Sequence, residues 1–265
     1  MMSRWLSIAM VAVLLAGCGG KSFTVPKAEY REKVRTLGVL PLMVDEGSTI
    51  SHPDRETLIG LLHQYNASTR DLLISLLKED KQYFDVRAIA GDPREMFGRL
   101  VIGQNPRGRG DEEHIGYVFN AAEIAPLIER NVVDAILVVI FNGVDRDEKR
   151  WDRTKLTYLR ADYNVILASA MVLTADGQVL WEFHGKPGES FLPLQYPDFD
   201  EAHYNKTEEV KIRYISLAGL ERTLAERADG MFSSASGPLP YHRLYEQLAA
   251  ELDPGMINPL RNQPK

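Results

Sequence analysis

The stretch "DAILVVIFNGV" (134–144) decides the fold. Residues 135–141 are apolar without a break, so a strand here is apolar on both faces. That pattern belongs to a central strand of a sheet covered on both sides. The run is far below the ~20 residues that a membrane-crossing helix needs. Just before it, "NAAEIAPLIERN" (120–131) reads as a helix capped by Asn120. After it, "YNVILASAMVL" (163–173) reads as a long strand. Val165, Leu167 and Met171 lie on one face, and Ile166, Ala168, Ala170 and Val172 on the other. "TADGQ" (174–178) carries Asp-Gly, the strongest short hairpin signal. "VLWEFHG" (179–185) then returns, with Val179, Trp181 and Phe183 expected on one face.

Working back toward the start, "VRTLGVLPLMV" (34–44) predicts a buried strand closed by Pro41. A helix follows, with Asp54 as N-cap and a stripe of Leu58, Leu61, Leu62, Tyr65, Leu72, Leu73, Leu76 and Leu77, bent at "NAST" (66–69). "YFDVRAIA" (83–90) alternates as a strand. "GDPREMFGRLV" (91–101) has Asp92 as cap and Pro93 in the first turn, and "GQNPRGRGDEE" (103–113) reads as a loop. "DRDEKRWDRTKLTYLR" (145–160) reads as a charged, exposed excursion. Toward the end, "TEEVKIRYISLAGLERTLAERAD" (207–229) and residues 240–252 predict two helices, before a loose tail at 253–265. Helices between early strands and a closing β-hairpin imply an α/β fold, a mixed sheet flanked by helices.

Of the 265 residues, 45% are hydrophobic and 26% charged, the balance of a globular protein. The net charge of −6 disfavours nucleic acid as a partner. It also gives no attraction to an anionic membrane surface. The chain has one cysteine, Cys18, so no intrachain disulfide can form.

That cysteine lies in "LAGCGGKS" (15–22), which permits two readings. A phosphate-binding loop would use Gly20, Lys21 and Ser22, but its first glycine position is Leu15 and no clear helix follows. The second reading fits better. Arg4, the apolar run "WLSIAMVAVLLA" (5–16) and small residues before a cysteine have the three-part layout of a secretory signal. Leu15, Ala16, Gly17 and Cys18 resemble the lipobox of bacterial lipoproteins. The resemblance implies cleavage before Cys18, a diacylglycerol on its thiol and a third acyl chain on the new amino group. One acyl chain holds a protein only marginally, whereas two or three hold it firmly. Residues 1–17 are then a signal peptide, 18–33 a lipidated tether, and 34–252 a single α/β domain. Gly19 stands where an Asp in enterobacterial lipoproteins favours inner-membrane retention, which implies an outer-membrane protein facing the periplasm.

The body is similar to a group of envelope lipoproteins. The similarity rests on "LGVLPL" (37–42), "YFDVRAI" (83–89), "VVDAILVVIF" (132–141) and "MVLTADGQVLWEF" (171–183). The group includes the amino-terminal domain of TolB, the CsgG family, LpoB and a neisserial surface-lipoprotein family. It implies an anticodon-binding-domain-like sandwich and a binding or assembly role with a protein partner in the envelope, and it supplies no catalytic residue.

Nor does the chain itself show a catalytic motif. His52, His63, His114, His184, His203 and His242 form no tight metal-ligand spacing, and there is no G-x-S-x-G elbow. No metal or cofactor is expected beyond the lipid on Cys18. "DFDEAH" (198–203) could set Asp198, Asp200 and His203 round a cation, the alternative being a polar loop. Adjacent Glu112, Glu113 and His114 read as a solvated loop. Trp151, with Arg150 and Arg153 beside it, is the candidate interaction surface. The alternative for Trp151 is a ring folded back onto the body. Three functions follow in order: a lipid-anchored binding or assembly protein without turnover, a small envelope hydrolase or ligand-binding enzyme built on "DFDEAH" and His184, and a secretion-channel subunit. The last requires strands that can become amphipathic membrane hairpins, and 145–160 alternates poorly.

Overall fold

The computed structural model describes residues 22–185, 188–227 and 237–253. The expected signal peptide, lipobox and loose tail beyond 253 lie outside them. A seven-stranded mixed sheet runs through the centre in the order β3 (Asp85–Ala88), β1 (Thr36–Val39), β6 (Ala135–Trp151), β7 (Tyr158–Leu173), β8 (Val179–Phe183). Two short strands complete it, β2 (Met43–Val44) on β6 and β9 (Leu192–Pro193) on β7. β1 is parallel to β3 and β6, while β6, β7 and β8 are successively antiparallel. As expected, this is a mixed α/β sheet flanked by helices with a β-hairpin, β7–β8, near its end.

The central position of β6 follows from its apolar run. Alternate residues enter opposite cores: Ala135, Leu137, Val139 and Phe141 on one side, Ile136, Val138 and Ile140 on the other. The first core is covered by α1 (Lys27–Lys33), α2 (Arg55–Glu79), α6 (Leu217–Ala225) and α7 (Leu239–Leu252). Over the second lie α3 (Pro93–Leu100), α4 (Ala121–Asn131) and the hairpin of β4 (Val101–Arg107) and β5 (His114–Phe119). Asp92 and Asn120 cap their helices as the sequence predicts, accepting from Arg94 N and Glu95 N at 3.0 and 2.9 Å and from Ala122 N at 3.2 Å.

Several expectations are corrected. Residues 22–33 do not act as tether: Phe23 bridges to Trp181, Thr24 N donates to Leu180 O, and Tyr30 is buried in the first core. The strand expected over 34–44 divides into β1 and β2. Asp54 precedes α2 but makes no side-chain cap, and α2 runs unbroken through 66–69. The loop expected at 103–113 is most of the β4–β5 hairpin. Val179 faces the second core while Trp181 and Phe183 face the first, because β8 carries one extra residue, Leu180, between its pairings with Leu173 and Val172. Among the described residues of the expected helix 207–229, only Leu217–Ala225 is helical, and Ile212–Tyr214 forms β11 against β10 (Gln195–Pro197).

The largest difference lies at 145–160. The charged excursion is a continuation of the sheet: β6 is 17 residues and β7 is 16, and they stay paired out to Trp151 and Tyr158. This distal arm has charged residues on its inner face. Arg146 is 1% exposed and donates to Glu113 O at 2.9 Å and to Glu189 O at 2.7 Å. The backbone carbonyls of two crossing loops thus take the place of an apolar core.

Candidate functional site

The turn at 152–157 closes the arm. Asp152 holds it, accepting from Thr154 Oγ1 at 2.7 Å and Leu156 N at 3.1 Å. Lys155 takes the left-handed conformation, φ 58°. The arrangement leaves three large side chains open to solvent: Trp151 at 52% exposure, Leu156 at 84% and Tyr158 at 47%. The Trp151 and Tyr158 rings contact across the strand pair with centroids 4.9 Å apart, and Lys149 Nζ lies 5.1 Å from the Tyr158 ring. Trp151 therefore stands out at the tip, supported by its strand neighbour.

Arg150 and Arg153 behave differently from one another. Arg150 turns inward, its guanidinium 4.0 Å from the Tyr163 ring centroid, and donates to Glu148 Oε2 at 3.0 and 2.7 Å and to Gln195 O. It fastens the arm to the 192–197 crossing and offers little to a partner. Arg153 is exposed and pairs with Asp200 at 3.0 Å.

That pair joins the two segments singled out in the sequence. "DFDEAH" packs beside the hairpin turn, and between them lies a cleft of about 550 Å³, whose lining includes Trp151, Tyr196, Phe199, Arg153, Asp200 and His203. Residues 199–204 form a short helix, α5, in place of the expected loop. The carboxylates are spent on the protein's own groups. Asp198 accepts from Glu201 N at 2.9 Å and from Arg213 Nε at 3.2 Å, and Glu201 pairs with Lys211 and Arg213. These contacts oppose the cation-site reading. Among the described residues no group of three or more His, Cys, Asp or Glu side chains is arranged to hold a metal ion.

His184 joins a separate polar cluster. Its ring stacks on that of His114 with centroids 4.0 Å apart. Its Nδ1 lies 3.3 Å from Ser169 Oγ and its Nε2 3.5 Å from Glu182 Oε2. Asn142 Nδ2 also donates to Ser169 Oγ, at 3.1 Å. Burial lowers the His114 pKa, and the neighbouring His184 imidazole lowers that of Glu182. The arrangement has the residue types of a Ser–His–Glu hydrolase, but Ser169 has no exposed surface. A nucleophile must reach its substrate, so this serine is a structural bridge. The His114–His184 contact was not legible in the sequence, because the two rings come from β5 and from just beyond β8.

The remaining histidines hold the fold. His52 Nε2 lies 2.9 Å from Ile215 O, His63 Nε2 2.8 Å from Glu46 Oε1, and His242 Nδ1 3.3 Å from Glu246 Oε2.

No family model matches the sequence. No curated protein matches it either. Among solved structures, one described as a neuraminyllactose-binding hemagglutinin homolog from Helicobacter pylori is similar at 10% identity, over 83% of this chain and 86% of that chain, with a TM-score of 0.39.

Proposed function

We propose that this chain is a lipoprotein of the bacterial outer membrane, anchored through acyl chains on Cys18 and facing the periplasm, that binds or assembles an envelope partner without turnover. The anchor half stands on Leu15-Ala16-Gly17-Cys18 and the apolar run before it. No helix among the described residues is long and apolar enough to cross a membrane, so the lipid would carry the attachment.

The binding half rests on one observation, the exposed Trp151, Leu156 and Tyr158 at the tip of a long, well-paired arm. Aromatic side chains on a firm support are the usual anchors of protein interfaces. The charged ladder of Arg146, Glu148 and Arg150 beneath them fixes where they stand.

Two measurements test the two halves. Intact-mass analysis of membrane-extracted protein is expected to show a chain beginning at Cys18 with diacylglycerol and amide-linked acyl groups. A free thiol or a retained leader overturns the anchor. Affinity purification of the intact protein from membranes is expected to lose its partner in Trp151→Ala; unchanged partners remove the tip from consideration.

A further inference from the structure

The β4–β5 hairpin is a two-stranded sheet of its own, and among the described residues no strand pairing joins it to the central sheet. A hairpin standing alone is marginal in water, so side-chain contacts must hold this one over the second core. Midway along it, Tyr117 is buried and donates to Asp45 Oδ2 at 3.0 Å. At its turn end, the His114 ring lies on that of His184, with centroids 4.0 Å and planes 21° apart. We propose that this stacked pair is an acid-sensitive latch, which fastens the turn end of the hairpin to the exit of β8 at neutral pH and lets it go when both imidazoles are protonated.

The surroundings provide for one positive ring and not for two. His184 has Glu182 Oε2 at 3.5 Å from its Nε2 and Ser169 Oγ at 3.3 Å from its Nδ1, so a charge on this ring has a counter-ion. His114 has none at that range. Its Nδ1 lies 2.9 Å from the Glu112 carbonyl oxygen, an acceptor, so Nδ1 carries the proton of the neutral ring and an added proton must go to Nε2. That second charge would lie face to face with the first in a half-buried setting, where repulsion is stronger than in water.

The other charged groups do not relieve it. Arg107 stands directly opposite His114 in the hairpin ladder and adds a positive charge. Arg146 reaches the turn from β6, donates to Glu113 O and engages the Asp111 and Glu113 carboxylates. Glu182 is left to balance His184 alone. Burial, with His184 and Arg107 acting in the same direction, holds the His114 pKa below its ordinary value while the stack is closed. A released imidazole regains the usual ~6.5 and takes up the proton more readily, so acid favours release. The released end would bare Ile115, which packs against the second core and against Val144, Tyr163, Val165 and Leu167 of the sheet.

This inference depends on neither the aromatic tip nor lipidation. The test is amide hydrogen exchange of the full-length protein at pH 7.5 and pH 5.5, read by mass spectrometry and corrected for the intrinsic exchange rate. Peptides within 101–119 should lose protection by about threefold or more at the lower pH, while peptides within 135–141 stay protected over the same interval. His114→Phe keeps a ring in the stack and removes its titration, so the hairpin's protection should become independent of pH. Glu182→Gln removes the balancing carboxylate, so protection should fall more steeply than in the wild type. Near-ultraviolet circular dichroism at pH 7.5 checks that both variants are folded, and if His114→Phe is not, the slope in Glu182→Gln decides. Equal hairpin protection at the two pH values in the wild type overturns the proposal. So does an acid loss that persists in folded His114→Phe, an unchanged slope in Glu182→Gln, or exchange of 135–141 together with the hairpin.

Discussion

His114 shows how one side chain couples two elements. It sits on β5, its ring 4.0 Å from that of His184 beyond β8, with Glu182 and Arg107 facing it and the Glu112 carbonyl 2.9 Å from its Nδ1. Burial lowers its pKa, with the nearby His184 and Arg107 acting in the same direction. The unfolded chain, with a His pKa of about 6.5, therefore takes up a proton before the folded protein does. The stabilising contribution is complete above pH ~6.5 and is lost as pH falls from there through the lowered folded value. Thermal melts of the wild type should accordingly drop between pH 7 and pH 5, and His114→Gln should flatten that drop. An equal pH slope in both proteins would show that His114 does not titrate with unfolding.

At the scale of elements, β6 holds the molecule together, and Gly143 is where the 45–50 loop passes close against it. A Cβ at Gly143 would lie 2.3 Å from the Thr49 carbonyl oxygen and 2.6 Å from its carbon. The Gly143 N–H donates to Ser48 Oγ at 2.8 Å, so the 45–50 loop is drawn tightly over the strand. The obstruction is backbone, which yields poorly. Gly143→Ala should therefore cost about 1–3 kcal/mol, read as a lower urea midpoint with unchanged slope. A midpoint equal to wild type would mean the loop moves freely. The apolar half of β6 was legible in the sequence because hydrophobicity and burial coincide there. The same strand beyond Val144 was illegible: Arg146 and Glu148 are buried although charged, so the period of burial continues while the period of hydropathy stops. The β4–β5 hairpin escaped for a related reason. Gly103, Gln104, Asn105 and Arg107 pair through backbone hydrogen bonds with little apolar alternation. The region 207–229 has a helical stripe, but Asp198 and Glu201 capture Arg213 and pull 212–214 into a strand. Of the candidate site, Trp151 and "DFDEAH" were each visible as local oddities; their convergence required the length of the arm, which the sequence concealed.

For the molecule as a whole, the register fixes where the tip stands relative to the proposed anchor. Ser22 O accepts from Glu182 N, and Phe23 bridges Trp181, which pairs with Val172 of β7. Only residues 19–21 separate Cys18 from this point, so covalent geometry limits the anchor to within ~15 Å of Ser22. From Val172, β7 runs back to Tyr158 beside Trp151, about 45 Å of strand at ~3.3 Å per residue. A lipid on Cys18 would thus hold Trp181 close to the bilayer and Trp151 well away from it. Loss of residues 1–17 with the leader removes Trp5 and leaves these two as the only tryptophans. Energy transfer to dansyl-labelled lipid headgroups can then compare them directly, with Trp151→Phe reporting Trp181 and Trp181→Phe reporting Trp151. Transfer should be strong from Trp181 and weak from Trp151. Equal or reversed efficiencies would mean that the arm lies along the membrane, where its aromatic tip would meet lipid before any partner deeper in the periplasm.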